Sequence, residues 1–318
     1  MASDEFSLIE KHFSTIGPRS GHTRLGLGDD AAVQSVPFGY QLVSSMDTLI
    51  AGVHFPFDTA PGDIAAKALA VNLSDLAAMA ADPAWFLLSL SLPESNPDWL
   101  TDFSAGLQQI ADQYQIELIG GDTCRGDLSI TIQIMGLVPE DSYVTRAGAR
   151  KGDLVLVSGC LGNAALGLAH LQGDIELPEA IRGRCIDALQ RPMPRLELGS
   201  FLRDYARAAI DLSDGLQADL GHILQASRCG AIIERDRLPV DNWIRHNEAW
   251  QYALTTGDDY EICCCISADQ QDQIDRWNQT HPGCPLTQIG KITKEGYKLN
   301  HNGQTFDIKE QTGYRHFA

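Results

Sequence analysis

Seven aspartates recur in one kind of setting. Asp29 and Asp30 in "LGDDAA", Asp47 in "VSSMDT", Asp75 in "VNLSDLAA", Asp122 in "LIGGDT", and Asp211 with Asp214 in "AIDLSDGL" each end an apolar strand or helix beside glycine or serine. Singly, an aspartate there is a helix cap or a turn residue. Asp214, just before a helical stretch through Leu216 to Leu224, fits a cap; Asp75, inside an alanine-rich helical stretch, does not, because aspartate is a poor helix former. Should several of these acids converge, their repulsion would raise their pKa values or destabilise the fold unless cations were bound. Hard divalent ions suit such oxygen ligands, and magnesium characteristically bridges one or two carboxylates to phosphate groups.

The charge of the chain points the same way. Its 42 acidic residues against 24 basic ones give a net charge of −18. That field repels nucleic acid and anionic membranes, so neither is an expected partner. A phosphorylated substrate would be repelled too unless cations stood between, and this gives the acids a role, since they would hold the metal that holds the phosphate. The turns "GLGDD" and "IGGDT" let the backbone approach an anion closely. Neither the G-x-x-x-x-G-K-[ST] loop nor the protein-kinase signatures occur.

Elements to position these acids are legible in outline. At 318 residues two domains are the better expectation. A helix is predicted over residues 5–13, then a strand in "YQLVSSMD" ending on Asp47, and a helix in "PGDIAAKALAVNLSDLAAMAAD" with proline in its first turn. The strand "AWFLLSLSL", a helix over 98–114, the strand "IELIGGD" and the alternating strand "DLSITIQIMGLV" follow. The polar, turn-rich "PEDSYVTRAGARKGD" marks the boundary, giving domains 1–138 and 139–318. Beyond it a strand at 153–158 leads to helices over 163–172, 178–190 and 195–206. "AAIDLSDGLQADLGHILQAS" is then a strand, an acidic turn and a helix, and strands follow at 230–234, 260–266 and around 286–300. The fold class is α/β or α+β. Eight dilute cysteines, three of them consecutive at Cys263, Cys264 and Cys265, suit neither a disulfide framework nor zinc spacing and read as a buried strand in a reducing compartment. Without an apolar run of membrane-spanning length or a basic-flanked leader, the expected location is the cytoplasm.

Taken in order, "GLGDDAAV", "SSMDTLIAGVHF", "AVNLSDLAAMAADP", "LIGGDTCRG", "TRAGARKGD", "IDLSDGLQADLGHI" and "TGDDYEI" resemble the thiamine-monophosphate kinase family from about residue 24 to the end of the chain. The resemblance implies a two-domain aminoimidazole ribonucleotide synthetase-like fold with mixed sheets and packed helices. It also implies a homodimer paired through N-terminal-domain sheets, and ATP-dependent phosphorylation of thiamine monophosphate to thiamine diphosphate with several magnesium ions. Carried onto this chain, the metal ligands would be Asp30, Asp47, Asp75, Asp122 and Asp211, assisted by Ser45, Met46 and Asp214. Gly121, Asp122, Arg146 and Ser213 would bind nucleotide, and His54, Asp258 and Tyr314 the thiamine substrate. Asp47, Asp122 and Arg146 would be catalytic; Arg125, Lys151, Arg191 and Arg195 are weaker candidates.

Two positions depart from the family pattern. Met46 stands where threonine is common, leaving only its carbonyl as a ligand, and Gly257-Asp258-Asp259-Tyr260 has an acid one methylene shorter than the family's G-E-D-Y. The residues themselves leave other readings open: His54 beside Phe55 suits packing as well as ligation, and Tyr314 suits tail packing as well as stacking on a heteroaromatic ring. Because the acceptor is itself a phosphate with a second pKa of about 6, the reaction needs no general base. Aminoimidazole ribonucleotide synthetase, sharing ATP and magnesium, is the alternative enzyme. A divalent-metal-binding module is the alternative outside enzymes, although no D-x-[DN]-x-[DN]-G loop is present.

Overall fold

The computed structural model describes residues 5–308 and 312–314. The chain divides into two compact units. One runs to Leu76 and resumes from Ala81 to Ser142; the other takes Ala77–Ala80 and the described residues from Tyr143 onward.

The first unit contains α1 (Glu5–Phe13), β1 (Thr23–Leu25), β2 (Val33–Gln34), β3 (Tyr40–Ile50), α2 (Pro61–Ala78, its last two residues counted with the second unit), β4 (Asp82–Leu92), α3 (Pro97–Gln113), β5 (Glu117–Arg125) and β6 (Ser129–Pro139). Its main sheet has the order β3-β6-β4-β5, with β4 and β5 parallel and the other pairs antiparallel. Along β6 the alternation expected from sequence is realised: Ile130, Ile132 and Ile134 are buried while Ser129, Thr131 and Gln133 stay half-exposed. On the buried side α2 approaches closely because its interior is largely alanine, and the Leu76 side chain lies over the β6 backbone at Gly136. Asn96 caps α3 by accepting the N–H groups of Asp98 and Trp99, with Pro97 pre-set for the first turn, and Leu100, Phe103, Leu107 and Ile110 form its buried stripe. On the other side the sheet is uncovered along β3, where Leu42, Met46 and Ile50 are 47%, 63% and 41% exposed, while Leu137, opposite Leu42, packs with the buried Trp85 and Ile119.

The second unit contains β7 (Leu154–Ser158), α4 (Asn163–Leu171), α5 (Glu179–Gln190), α6 (Gly199–Tyr205), β8 (Ala206–Asp211), α7 (Leu216–Ser227), β9 (Gly230–Glu234), α8 (Asn242–His246), α9 (Gln251–Leu254), β10 (Ile262–Ile266), α10 (Gln271–Thr280), β11 (Leu286–Thr293), β12 (Tyr297–His301) and β13 (Gln304–Asp307). Seven strands form one mixed sheet in the order β13-β12-β9-β11-β7-β10-β8. Its centre is buried on both faces: Cys263 and Cys265 join the core on the α7 side, while Cys264 joins Phe201 of α6 and Trp277 of α10 on the other. The three consecutive cysteines are therefore strand residues, as expected, and burial raises their thiol pKa values. All eight cysteines are free.

Two differences from the sequence reading have physical causes. β3 continues three residues past Asp47 because it pairs with β6 as far as Ile50, opposite Ser129. α10 has no sequence counterpart: "QDQIDRWNQT" is polar, and only Ile274 and Trp277 are buried, a stripe too thin to read from periodicity.

Candidate active site

In the first unit, β3 brings Ser45 and Asp47 to the side of the sheet that carries α2. Ser45 Oγ donates to Asp75 Oδ2 at 2.5 Å, and the Asp47 N–H donates to Asn72 Oδ1 at 3.2 Å. Asn72 is fully buried and its amide nitrogen donates to Ala68 O at 2.9 Å, which fixes its oxygen toward β3. Asp75 thus escapes the usual fate of a mid-helix aspartate by facing a strand hydroxyl. Met46, the next residue on the alternation, lies on the open face.

Asp122 follows Gly121 on β5. Gly121 has φ 155°, and a Cβ there would stand 1.9 Å from Leu88 O, so the approach of β4 requires glycine. The register places Thr48, Thr131, Ser89 and Asp122 in one row across the open face. Asp47 points to the opposite face from the other edge strand, so the sheet separates these two acids within the unit. Asp30 is exposed in the turn between β1 and β2, its N–H donating to Asp29 Oδ1 at 2.9 Å. His54 accepts the Ile50 N–H at Nδ1 at 3.0 Å, which assigns a neutral ring with its proton on Nε2.

In the second unit, β8 delivers the buried Asp211 opposite Ile262 at the start of β10. The turn that follows gives up three successive carbonyls: Leu212 O accepts from the Tyr260 N–H at 2.8 Å, Ser213 O from Asp258 at 2.9 Å, and Asp214 O from Tyr314 at 3.1 Å. Gly257 has no room for a side chain, since a Cβ would lie 1.9 Å from Ser213 O. Ser213, Asp214, Asp258 and Tyr314, far apart in sequence, are thereby brought together.

Asp214 is not the cap of α7. Gly215 occupies that position with φ 110° and no side-chain bond, because the carboxyl that serves the turn comes from inside the helix: Asp219 Oδ2 accepts the N–H groups of Asp214 and Gly215, both at 3.0 Å. Asp219 is 2% exposed, and burial, reinforced by the charge of Asp214, pushes its carboxyl up to about 7 against the opposing pull of Arg146. Arg146 is exposed on a loop pinned by Ser227, whose hydroxyl donates to Arg146 O at 3.2 Å and accepts from Gly148 and Ala149 at 3.1 Å.

Behind the Gly257–Tyr260 segment, Glu261 is buried and fully engaged. It receives Arg195 Nε at 2.7 Å and Nη2 at 2.5 Å, Ser158 Oγ at 2.5 Å and the Cys160 N–H at 3.4 Å. Arg195 is thereby taken out of contention as a phosphate ligand. Asn72, Asp219, Asp259 and Glu261 are the residues that sequence reasoning missed. Each serves backbone or ion-pair partners distant or backward in sequence, and only the "QAD" of Asp219, directly after "LSDGL", offered a local hint. Among the described residues no group of three or more His, Cys, Asp or Glu side chains is close enough to hold a metal ion. What the fold brings together are Ser45 with Asp75, and the Asp214 turn with Asp219.

Models of the AIR synthase related proteins match the chain twice, the N-terminal domain over residues 28–138 and the C-terminal domain over 150–301. That defines its class: a two-domain α/β protein of the AIR synthase related type. The thiamine-monophosphate kinase of Escherichia coli K12 is 45% identical over 100% of this chain and 99% of its own length. A crystal structure of thiamine-monophosphate kinase from Stenotrophomonas maltophilia is similar with TM-score 0.85 and 42% identity, over 96% of this chain and 99% of that one. AaThiL complexed with AMPPCP and TMP is similar with TM-score 0.77 and 31% identity, over 98% and 97%. The chain belongs to the thiamine-monophosphate kinase family.

Proposed function

We propose that this chain is a thiamine-monophosphate kinase that transfers the γ-phosphoryl group of ATP directly to the phosphate of thiamine monophosphate, giving thiamine diphosphate and ADP. Full-length relatives bear that name, and the similar AaThiL is complexed with AMPPCP and TMP. The observation that carries the reading is the turn at Leu212–Gly215, where residues assigned to nucleotide (Ser213), metal (Asp214) and thiamine (Asp258, Tyr314) share one set of main-chain hydrogen bonds.

In the second unit, Asp258 faces a cationic thiazolium favourably and Tyr314, 47% exposed, offers a ring for stacking. In the first unit, His54 is the residue assigned to the substrate and the Gly121–Asp122 backbone the one assigned to the nucleotide. Arg146 meets phosphate oxygens and offsets their charge. An all-oxygen donor set fits magnesium, which keeps several waters and asks for only one or two carboxylates at a time. Within the first unit the donors assigned to magnesium ions are Asp30, Asp47 and Asp75 with Ser45 and the Met46 carbonyl and, on the other face of the sheet and so for a different ion, Asp122; within the second unit they are Asp211 and Asp214. Bound magnesium supplies charge neutralisation at the phosphates; the chain's own residues orient donor and acceptor oxygens for in-line attack. No residue is assigned as a general base, because the acceptor phosphate is already largely ionised at neutral pH.

The open face of the first unit's sheet, with Leu42, Met46 and Ile50 exposed and β3 as a long edge strand, is the surface we assign to a homodimer. The run Cys263–Cys265, buried as thiols in β10, is the feature we read as suiting a cytoplasmic setting.

The stereochemical course at a chiral γ-phosphorothioate of ATP tests direct transfer. A single in-line step predicts inversion; retention, or a trapped aspartyl phosphate, would contradict it.

A further inference from the structure

The substrate segment contains a backbone anomaly that its assigned role does not use. Asp258 has φ 70° and Tyr260 φ 48°, so two of three consecutive non-glycine residues occupy the left-handed region that side chains rarely adopt. Such strain persists only where surrounding contacts over-determine it. On the outer flanks the contacts are main-chain bonds, Asp258 N–H to Ser213 O at 2.9 Å and Tyr260 N–H to Leu212 O at 2.8 Å. Between the two strained residues the contact is a side chain. Asp259 turns inward, and its Oδ1 accepts the N–H of Gly162 at 2.8 Å at the N-terminus of α4. Its Oδ2 is buried with no hydrogen-bond partner, an arrangement with an energetic cost that a solvent-facing rotamer would avoid. The outcome of this geometry is visible at Asp258, whose Oδ1 receives the Tyr260 hydroxyl at 3.2 Å.

We propose that Asp259 is the positioning residue of the substrate segment: by docking on Gly162 it holds Asp258 and Tyr260 in their left-handed conformations and so aims the Asp258 carboxylate at the thiamine substrate. This rests on the assignment of Asp258 to substrate. Asp259 touches neither substrate nor nucleotide; it acts through the backbone on each side of it. Burial raises its carboxyl pKa well above the usual range, consistent with a group that serves as a neutral acceptor rather than as a charge. An asparagine, equally able to accept the Gly162 N–H, is then a functional replacement. The arrangement also suits the shorter acid at 258: with one methylene fewer than glutamate, Asp258 reaches less far, and its aim depends more on the backbone that carries it.

The test is steady-state kinetics on D259A, D259N and D258N, with thiamine monophosphate and ATP varied separately. D259A is expected to raise KM for thiamine monophosphate about tenfold or more, with KM for ATP within about threefold of the parent. D259N is expected to restore the parent values, and D258N to resemble D259A. A D259A enzyme with an unchanged KM for thiamine monophosphate, or one whose activity falls only in proportion to its folded fraction, would overturn the inference, as would a D259N as impaired as D259A. If D259A does not fold, D259S, too short to reach Gly162, is read in its place by the same criteria. An unchanged D258N would instead remove the assignment of Asp258 to substrate, and is thereby told apart from a failure of Asp259 to position it.

Discussion

Asp219 shows how much a single buried carboxyl organises here. It holds two N–H groups of the turn that carries Ser213 and Asp214, and its carboxyl is pushed up to about 7 by burial first and by the Asp214 charge second. A carboxyl that binds its proton more tightly folded than unfolded contributes that stability in full below its unfolded pKa of about 4 and loses it as the pH climbs through the folded value. In metal-free buffer the thermal midpoint of the parent should therefore fall more steeply between about pH 5 and about pH 8 than that of D219N, whose amide keeps the acceptor and does not titrate. Parallel profiles would contradict the shift. At this scale the sequence marks Asp211 and Asp214 by their setting, and Asp258 only through the family resemblance, and is silent about what holds them. Asp219 was not legible, because it serves N–H groups that precede it in the chain, and Asp214 looked like the cap that Gly215 turned out to be.

Among the elements, the Gly257–Tyr260 segment leads into β10, and the clamp beneath it is the Arg195–Glu261 pair. Both residues are buried, and Glu261 also fixes the β7–α4 connection through Ser158 and the Cys160 N–H. Breaking a buried pair by removing one partner strands a charge and typically costs about 3–5 kcal/mol. R195M is expected to lose about that much stability by chemical denaturation, and the double variant R195M/E261L to recover most of it. Equal losses in the single and double variants would show that the residues contribute by packing alone. Elements with strong patterns were readable: α3 as a helix over 98–114, β6 from alternation, and the three cysteines as a buried strand. The β1–β2 ribbon, with only three and two residues, and the short helices α8 and α9 carry too few side chains for any period to emerge.

For the whole molecule, a net charge of −18 sets the terms of the chemistry. Two anionic substrates must meet on a strongly anionic protein, and in the proposed function magnesium ions and Arg146 would reconcile them. The other whole-molecule feature is the open sheet face. Its apolar residues were legible as a strand, but that they lie uncovered depends on where α2 and α3 pack, which no local pattern states. L42D is expected to convert a dimer to a monomer in light scattering, with the far-ultraviolet dichroism of the parent retained; a parent that is itself monomeric would contradict the assigned interface. The measurement that bears most directly on the central claim is chromatography of the products formed from ATP and thiamine monophosphate, with magnesium and with excess chelator. The account predicts thiamine diphosphate and ADP in equal amounts with magnesium and neither with chelator. A folded, nucleotide-binding protein that makes no thiamine diphosphate, or makes it equally well without divalent metal, would contradict it.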